Sequence, residues 1–133
     1  MERLIVDTGV LVALERGHEA GTDVLPDDAD IAIAAITVSE LLVGVELADE
    51  RRRAARQATV NAILATFDVI AFDLDIARHH ASLLAHARRS GRPRGAHDLQ
   101  IAATARGTGR VLVTTDGQAF DDLPAVRHRI ACG

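Results

Sequence analysis

The stretch LIVDTGVLVALER, residues 4–16, decides the fold class. It opens with the apolar run Leu4-Ile5-Val6, closes that run with Asp7-Thr8-Gly9, and resumes with apolar residues at helical spacing from Val10. This order predicts a buried strand, a turn and a helix. Because similar alternations return along the chain, we expect an α/β domain.

The rest of the chain alternates in the same way. Further strands are predicted at residues 31–36, 69–72, 111–113 and, more weakly marked, 126–131. Helices are predicted at residues 18–25, 37–48, 49–67, 74–90 and 97–106. Strands separated by helices need crossover connections, so the sheet should be mainly parallel, with helices on both faces.

Local signals refine two of these boundaries. Thr37 and Glu40 stand three residues apart, as in a capping box, which predicts a helix start at Thr37. Asp116-Gly117 follows the fourth strand and predicts a turn in which the glycine can adopt a positive φ.

Length and composition limit the possible functions. A chain of 133 residues predicts a single domain, residues 1–133. It has three Phe and no Trp or Tyr, so a deep aromatic cofactor pocket is not expected. The lone Cys132 excludes a disulfide within the chain and has no partner spaced for structural zinc. No apolar run approaches the roughly 20 residues that span a bilayer, and no signal peptide is visible, so we expect a cytoplasmic protein.

Four carboxylates are expected at one edge of the sheet. Asp7 follows the first strand directly, Glu40 lies in the first turn after the second, and Asp116 follows the fourth. Asp98 begins a helix that leads back into the fourth strand, so it starts at that strand's carboxyl end. Ligands of parallel sheets bind beyond this edge.

Each acid also has a structural explanation. Asp7 could be a helix N-cap, Glu40 the second member of a capping box, Asp98 a charge favouring the helix dipole, and Asp116 a turn residue. For any one of these residues taken alone, the structural explanation is commoner than a functional one. Four such residues converging on one edge favour a site.

Clustered carboxylates would call for a cation. Two of them roughly 6 Å apart, at an effective dielectric constant of about 20, repel by about 3 kcal/mol. Ligation by carboxylates alone suits Mg²⁺, with Mn²⁺ able to substitute, and does not suit Zn²⁺. Asp7 and Asp98 would be the principal ligands, with Glu40 and Asp116 completing a site that hydrolyses phosphodiesters.

The chain resembles the PIN-domain ribonucleases, specifically VapC-type toxins of type II toxin-antitoxin systems. The resemblance covers almost the whole length, and four segments carry it: residues 4–8, 37–46, 97–105 and 112–116. It implies a three-layer α/β/α fold with strand order 3-2-1-4-5. It also implies magnesium-dependent cleavage of RNA, a homodimer, and inhibition by a cognate antitoxin.

The resemblance maps the family's acidic set onto Asp7, Glu40, Asp98 and Asp116. Thr115 would assist as a polar neighbour that contacts substrate. Many relatives carry Asn near the fourth position, so Asp121 is a reserve candidate for the fourth acid.

Basic residues before the helix predicted at residues 97–106 have two possible roles. Arg92 and Arg94 could guide an RNA backbone toward the acids, or they could simply be solvated. The net charge of −4 gives no global attraction for nucleic acid.

Two other functions fit an α/β domain. One is a catalytically silent binding domain whose acids are caps. The other is an Asp-based phosphoacceptor or phosphatase, but this class needs a late Lys and the chain contains none.

Overall fold

The computed structural model describes residues 1–15 and 25–131. The short helix predicted over residues 18–25 falls almost entirely outside the described residues. Five strands and five helices are present in this part of the chain. In order they are β1 (Arg3–Val6), α1 (Thr8–Glu15), β2 (Asp30–Ala34), α2 (Ala35–Glu46), α3 (Glu50–Thr66), β3 (Asp68–Ile70), α4 (Leu74–Arg89), α5 (Ala96–Thr108), β4 (Val111–Thr114) and β5 (His128–Ile130).

The five strands form one parallel sheet in the order β3-β2-β1-β4-β5. β1 is central, with Ile5 opposite Ala32 of β2 and Leu112 of β4. The predicted parallel sheet and its strand order are both confirmed. All five strands therefore end at the same edge.

Alternate residues of the central strands enter two separate cores. Ile5 and Leu112 pack with α4 and α5 on one face of the sheet. Leu4 and Val6 pack with α1 and α3 on the other face. These residues are fully buried, as expected for a parallel sheet covered on both sides. The molecule has the three layers α/β/α.

The predicted capping box at the start of α2 is wrong. The helix begins two residues earlier, directly after β2, and its N-cap is Ala34, which has no side-chain cap bond. Thr37 lies inside the first turn and is fully buried. Because β2 passes into α2 without a loop, Thr37 faces the interior rather than the open end of the helix.

The reason given for Gly117 is also wrong. The described glycines with positive φ are Gly91 and Gly109, and Gly117 instead begins a 3-10 turn, Gly117–Ala119. A Cβ atom at Gly117 would stand 2.5 Å from Cδ1 of Ile130, so a side chain here would have to displace the end of Ile130.

Other boundaries follow local chemistry. Asp49 caps α3 by accepting a hydrogen bond from the Arg52 N–H, and Asp73 caps α4 by accepting one from Ile76. Gly109 ends α5 in the left-handed conformation. Within the described residues, no helix combines the length and apolar character needed to cross a membrane.

Candidate active site

The four predicted acids all lie at the carboxyl edge of the sheet. Asp7 follows β1, Glu40 is in α2 just beyond β2, and Asp116 lies two residues after β4. Asp98 is in the first turn of α5. Four separate segments thus bring one carboxylate each to the same side of the molecule.

Asp7 is the most firmly held of the four. Its carboxylate accepts hydrogen bonds from the Thr114 hydroxyl and from the Val10 N–H, the latter at 3.1 Å, so it also caps α1. Burial raises the pKa of Asp7 above its ordinary value, against the lowering effect of these two bonds. The charges of Glu40 and Asp116 raise this pKa further.

The pKa of Asp98 is raised by the same causes. Burial raises its pKa, and the nearby charges of Asp116, Asp7 and Glu40 raise it further, in that order, while His97 lowers it. The structure therefore brings the four acids within electrostatic reach of one another. Opposing positive charge would relieve this repulsion.

Glu40 has no capping role. Instead it lies beside His97, whose Nδ1 is 3.6 Å from Oε2 of Glu40. This contact joins α2 to the residue before Asp98. The structural explanation for Glu40 thus fails, while its proximity to the other acids remains.

Asp116 is exposed, and its side chain makes no cap bond to the 3-10 turn that it precedes. Its backbone N–H donates to Oγ1 of Thr114 at 3.0 Å. The same hydroxyl donates to Asp7, so Thr114 connects the segments that carry two of the acids.

Sequence reasoning missed Thr114 because the fourth strand was expected to end at Val113. The strand includes Thr114, which is fully buried. Thr115, the residue predicted to assist, is exposed and lies against the turn after β1. A Cβ atom at Gly9 would stand 2.7 Å from Oγ1 of Thr115, so a side chain at residue 9 would have to displace this hydroxyl.

The reserve candidate Asp121 points elsewhere. Its carboxylate lies 3.4 Å from Nε2 of His128, the first residue of β5. Asp116 is the residue whose charge acts on both Asp7 and Asp98. The geometry therefore favours Asp116 as the fourth acid.

Arg92 and Arg94 lie between α4 and α5, and both face the 3-10 turn. Arg94 Nη1 donates to the Gln118 carbonyl at 2.8 Å, and Arg92 Nη2 donates to the same oxygen at 3.3 Å. A second donor of Arg94, Nη2, binds the Asp121 carbonyl. Both side chains contact backbone of the protein itself.

The four acids offer a donor set without forming a closed cage. Among residues 1–15 and 25–131, no three His, Cys, Asp or Glu side chains stand close enough together to hold an ion by themselves. Mg²⁺ usually keeps several waters and uses only one or two protein carboxylates directly. An open arrangement of oxygen ligands, in which neighbouring carboxylates raise the pKa values of Asp7 and Asp98, suits such an ion.

A groove of about 340 Å³ opens beside Glu40 between α1, α2 and α3. Its walls include Val12, Leu41 and Val60, and Arg56 lies on its border. Of the four acids, Glu40 is the one that lines this groove.

Comparison with known proteins places the chain in a family. The sequence model for the PIN domain matches residues 4–126. Ribonuclease VapC5 of Mycobacterium tuberculosis is 35% identical over 92% of this chain and 86% of its own length. A tRNA(fMet)-specific endonuclease VapC of Salmonella typhimurium is 33% identical over 77% of this chain and 76% of its own.

Solved structures agree with the sequence comparison. The DNA-bound VapBC structure from Salmonella typhimurium superposes with a TM-score of 0.87 at 26% identity, covering 99% of this chain and all (100%) of that chain. VapBC-5, a toxin-antitoxin system member from Mycobacterium tuberculosis, gives a TM-score of 0.79 at 30% identity, with 96% of this chain and 98% of that chain covered. The chain therefore belongs to the PIN domain family, and within it to the VapC type.

Proposed function

We propose that this protein is a metal-dependent endoribonuclease of the VapC type, which hydrolyses RNA phosphodiester bonds at Asp7, Glu40, Asp98 and Asp116. Its relatives are named as ribonucleases and as a tRNA-specific endonuclease. Mg²⁺ is the proposed cofactor, and Mn²⁺ should substitute for it.

The proposal depends on one observation above all. Glu40 and Asp116 make no capping bond, yet their charges act on both Asp7 and Asp98. Repulsion among four carboxylates destabilises the fold unless they bind a cation or a proton. Function is the simplest reason for keeping them together.

Each acid has a proposed task. Asp7 and Asp98 would hold the ion directly, because both are half-buried and reach the site from two different elements, the end of β1 and the start of α5. Glu40 and Asp116 would complete the site through water, and one of them would orient the attacking water. A bound Mg²⁺ would polarise the phosphate oxygens and the attacking water.

Cleavage of single-stranded RNA by the purified chain tests this function. We expect cleavage with Mg²⁺ or Mn²⁺ and none in excess chelator. Asp7→Asn and Asp98→Asn should each lower kcat/KM by more than about 100-fold, since loss of outer partners of a metal site already costs about 10–100-fold.

Asp121→Asn is the matched control, because Asp121 is an acid of the same region that faces His128. It should leave cleavage unchanged. RNA cleavage that persists in chelator, or that survives Asp98→Asn, would contradict the proposal and favour a domain whose acids are only structural.

We also propose an antitoxin partner and a homodimer. The structural neighbours include complexes described as VapBC toxin-antitoxin systems. Addition of the purified cognate antitoxin should abolish cleavage at a stoichiometric ratio. Light scattering of the isolated chain should give twice the monomer mass of 14.2 kDa.

A further inference from the structure

Arg94 makes an unusual pair of long-range contacts. Its guanidinium reaches across to the segment after β4, where Nη1 donates to the Gln118 carbonyl and Nη2 to the Asp121 carbonyl. These bonds span 24 and 27 residues of sequence. Arg94 is therefore a bridge between two loops at the carboxyl edge.

The geometry leaves little of this guanidinium for substrate. Two of its three nitrogen atoms bind backbone carbonyls, and the third, Nε, is buried without a hydrogen-bond partner among the described residues. An arginine that binds RNA phosphate presents its fork of donors outward. Arg94 turns that fork toward the protein.

Each of the two bridged loops adjoins one acid of the site. Asp116 lies two residues before Gln118, at the start of the 3-10 turn. On the other side, Gly95 follows Arg94 directly and is the N-cap of α5, three residues before Asp98. A Cβ atom at Gly95 would stand 2.9 Å from Oδ2 of Asp98, so the backbone here lies against that carboxylate.

The segment after Asp116 needs such an external contact. It contains only one 3-10 turn and two non-glycine residues with positive φ, Asp122 and Ala125. Phe120 and Leu123 are buried and anchor the later part of the segment to the core. Gln118 precedes these anchors and is exposed, and the bonds from Arg94 fix its carbonyl and that of Asp121.

We propose that Arg94 is a positioning residue, which sets the distance between Asp98 and Asp116 by tying residues 90–95 to residues 117–121. The effect of this positioning on catalysis rests on the proposed function. Its structural part, the fixing of residues 117–121, stands independently of the reaction.

A comparison of Arg94→Lys with Arg94→Ala separates positioning from phosphate binding. Lysine keeps the charge but lacks the planar fork that reaches two carbonyls at once. Positioning predicts that both variants lower kcat about 10–100-fold, by analogy with the loss of outer partners at metal sites. KM for RNA should stay within about twofold of the parent value, since ground-state binding is not altered.

Two readouts do not depend on turnover. Calorimetric titration should show Mn²⁺ binding weakened about 10-fold or more in both variants. Hydrogen exchange of the metal-free protein should show faster exchange of amides 117–122, with the amides of β1 and β4 unchanged. Arg89→Ala is the control, because Arg89 is exposed in the same basic stretch and makes no side-chain hydrogen bond or ion pair to a described residue.

The opposite pattern would overturn the proposal. If Arg94→Lys keeps kcat and Mn²⁺ affinity while Arg94→Ala raises KM and lowers the salt dependence of RNA binding, Arg94 binds phosphate. Unchanged exchange of amides 117–122 in Arg94→Lys would also overturn it. If the parent cleaves no RNA, the proposed function fails, whereas the exchange experiment still decides the role of Arg94.

Discussion

At the scale of single residues, Thr114 joins two acid-bearing segments through one hydroxyl group. It donates to the Asp7 carboxylate and accepts from the Asp116 N–H. A buried hydroxyl with both functions satisfied holds its neighbours in one geometry. The acids are thus supported by a side chain that carries no charge itself.

Ionisation of Asp98 should destabilise the metal-free fold. Its pKa is raised by burial and by neighbouring carboxylates, so the folded state holds the proton more tightly than the unfolded state does. Stability from this group is therefore full below the ordinary Asp range and falls as pH rises through the raised pKa. At pH 7, Asp98→Asn should raise the metal-free Tm by about 2–5 °C.

Thermal unfolding with and without metal tests whether Asp98→Asn raises or lowers the Tm. The gain in Tm should disappear at pH 3, where the parent carboxyl is also neutral. Mn²⁺ should raise the Tm of the parent and leave that of Asp98→Asn almost unchanged. A variant less stable than the parent at pH 7 without metal would show that Asp98 stabilises the fold instead.

At the scale of elements, sequence patterns predicted most helices and strands because their boundaries have local causes. Asp49 and Asp73 cap α3 and α4, and Gly109 ends α5. The junction between β2 and α2 had no such marker. Residues 31–38 are a continuous apolar and β-branched run, so tertiary pairing of β2 with β3, and not a cap, sets where the strand ends.

The candidate site was predictable to a similar degree. The four acids follow directly from strand ends and helix direction in a parallel sheet. Thr114 and the contacts of Arg94 were not predictable, since both depend on which way a side chain turns at the end of an element. That choice is made by packing between segments far apart in sequence.

Two helical glycines should respond oppositely to alanine. A Cβ atom at Gly107 of α5 would stand 2.6 Å from Cδ1 of Ile76 in α4, whereas at Gly44 of α2 the nearest atom would be 3.8 Å away. Gly107→Ala should lower the free energy of unfolding by about 1–3 kcal/mol, because the added methyl group overpacks α4 against α5. Gly44→Ala should raise the free energy of unfolding by about 0.5–1 kcal/mol, because alanine has the higher helix propensity.

Urea unfolding of both variants measures these changes. Since both substitutions are Gly→Ala within a helix, each serves as the control for the other. Stabilisation by Gly107→Ala would show that α4 and α5 can separate at no cost.

At the scale of the whole molecule, the edge opposite the acids is held by a buried cation. Arg110 precedes β4 and is 8% exposed. Its Nη1 donates to the carbonyls of Leu4 at 3.0 Å and Asp30 at 2.9 Å, and Nη2 donates to the Asp30 carboxylate at 3.2 Å. One side chain thus links the starts of β1, β2 and β4.

Loss of Arg110 should affect stability and spare the site. Arg110→Ala leaves the carbonyls of Leu4 and Asp30 without this donor, while the Asp30 carboxylate keeps Arg3 at 3.8 Å, so the loss should be about 1–3 kcal/mol. The variant that remains folded should bind Mn²⁺ as the parent does, because the acids lie at the other edge. Arg127→Ala, at an exposed arginine that binds the Gly109 carbonyl, should cost much less.

Chemical denaturation and calorimetric titration on the same samples separate the two effects. A large loss of Mn²⁺ affinity in folded Arg110→Ala would mean that the two edges are coupled through the sheet.

The central place of β1 has a consequence for how the protein is made. Leu4 of β1 pairs with Val111 of β4, so this partner is translated only after all the elements between them, with Asp116 just behind it. A growing chain therefore cannot assemble all four acids until its C-terminal part has emerged. Under the proposed function, a nascent copy therefore stays inactive until residues 111–116 leave the ribosome.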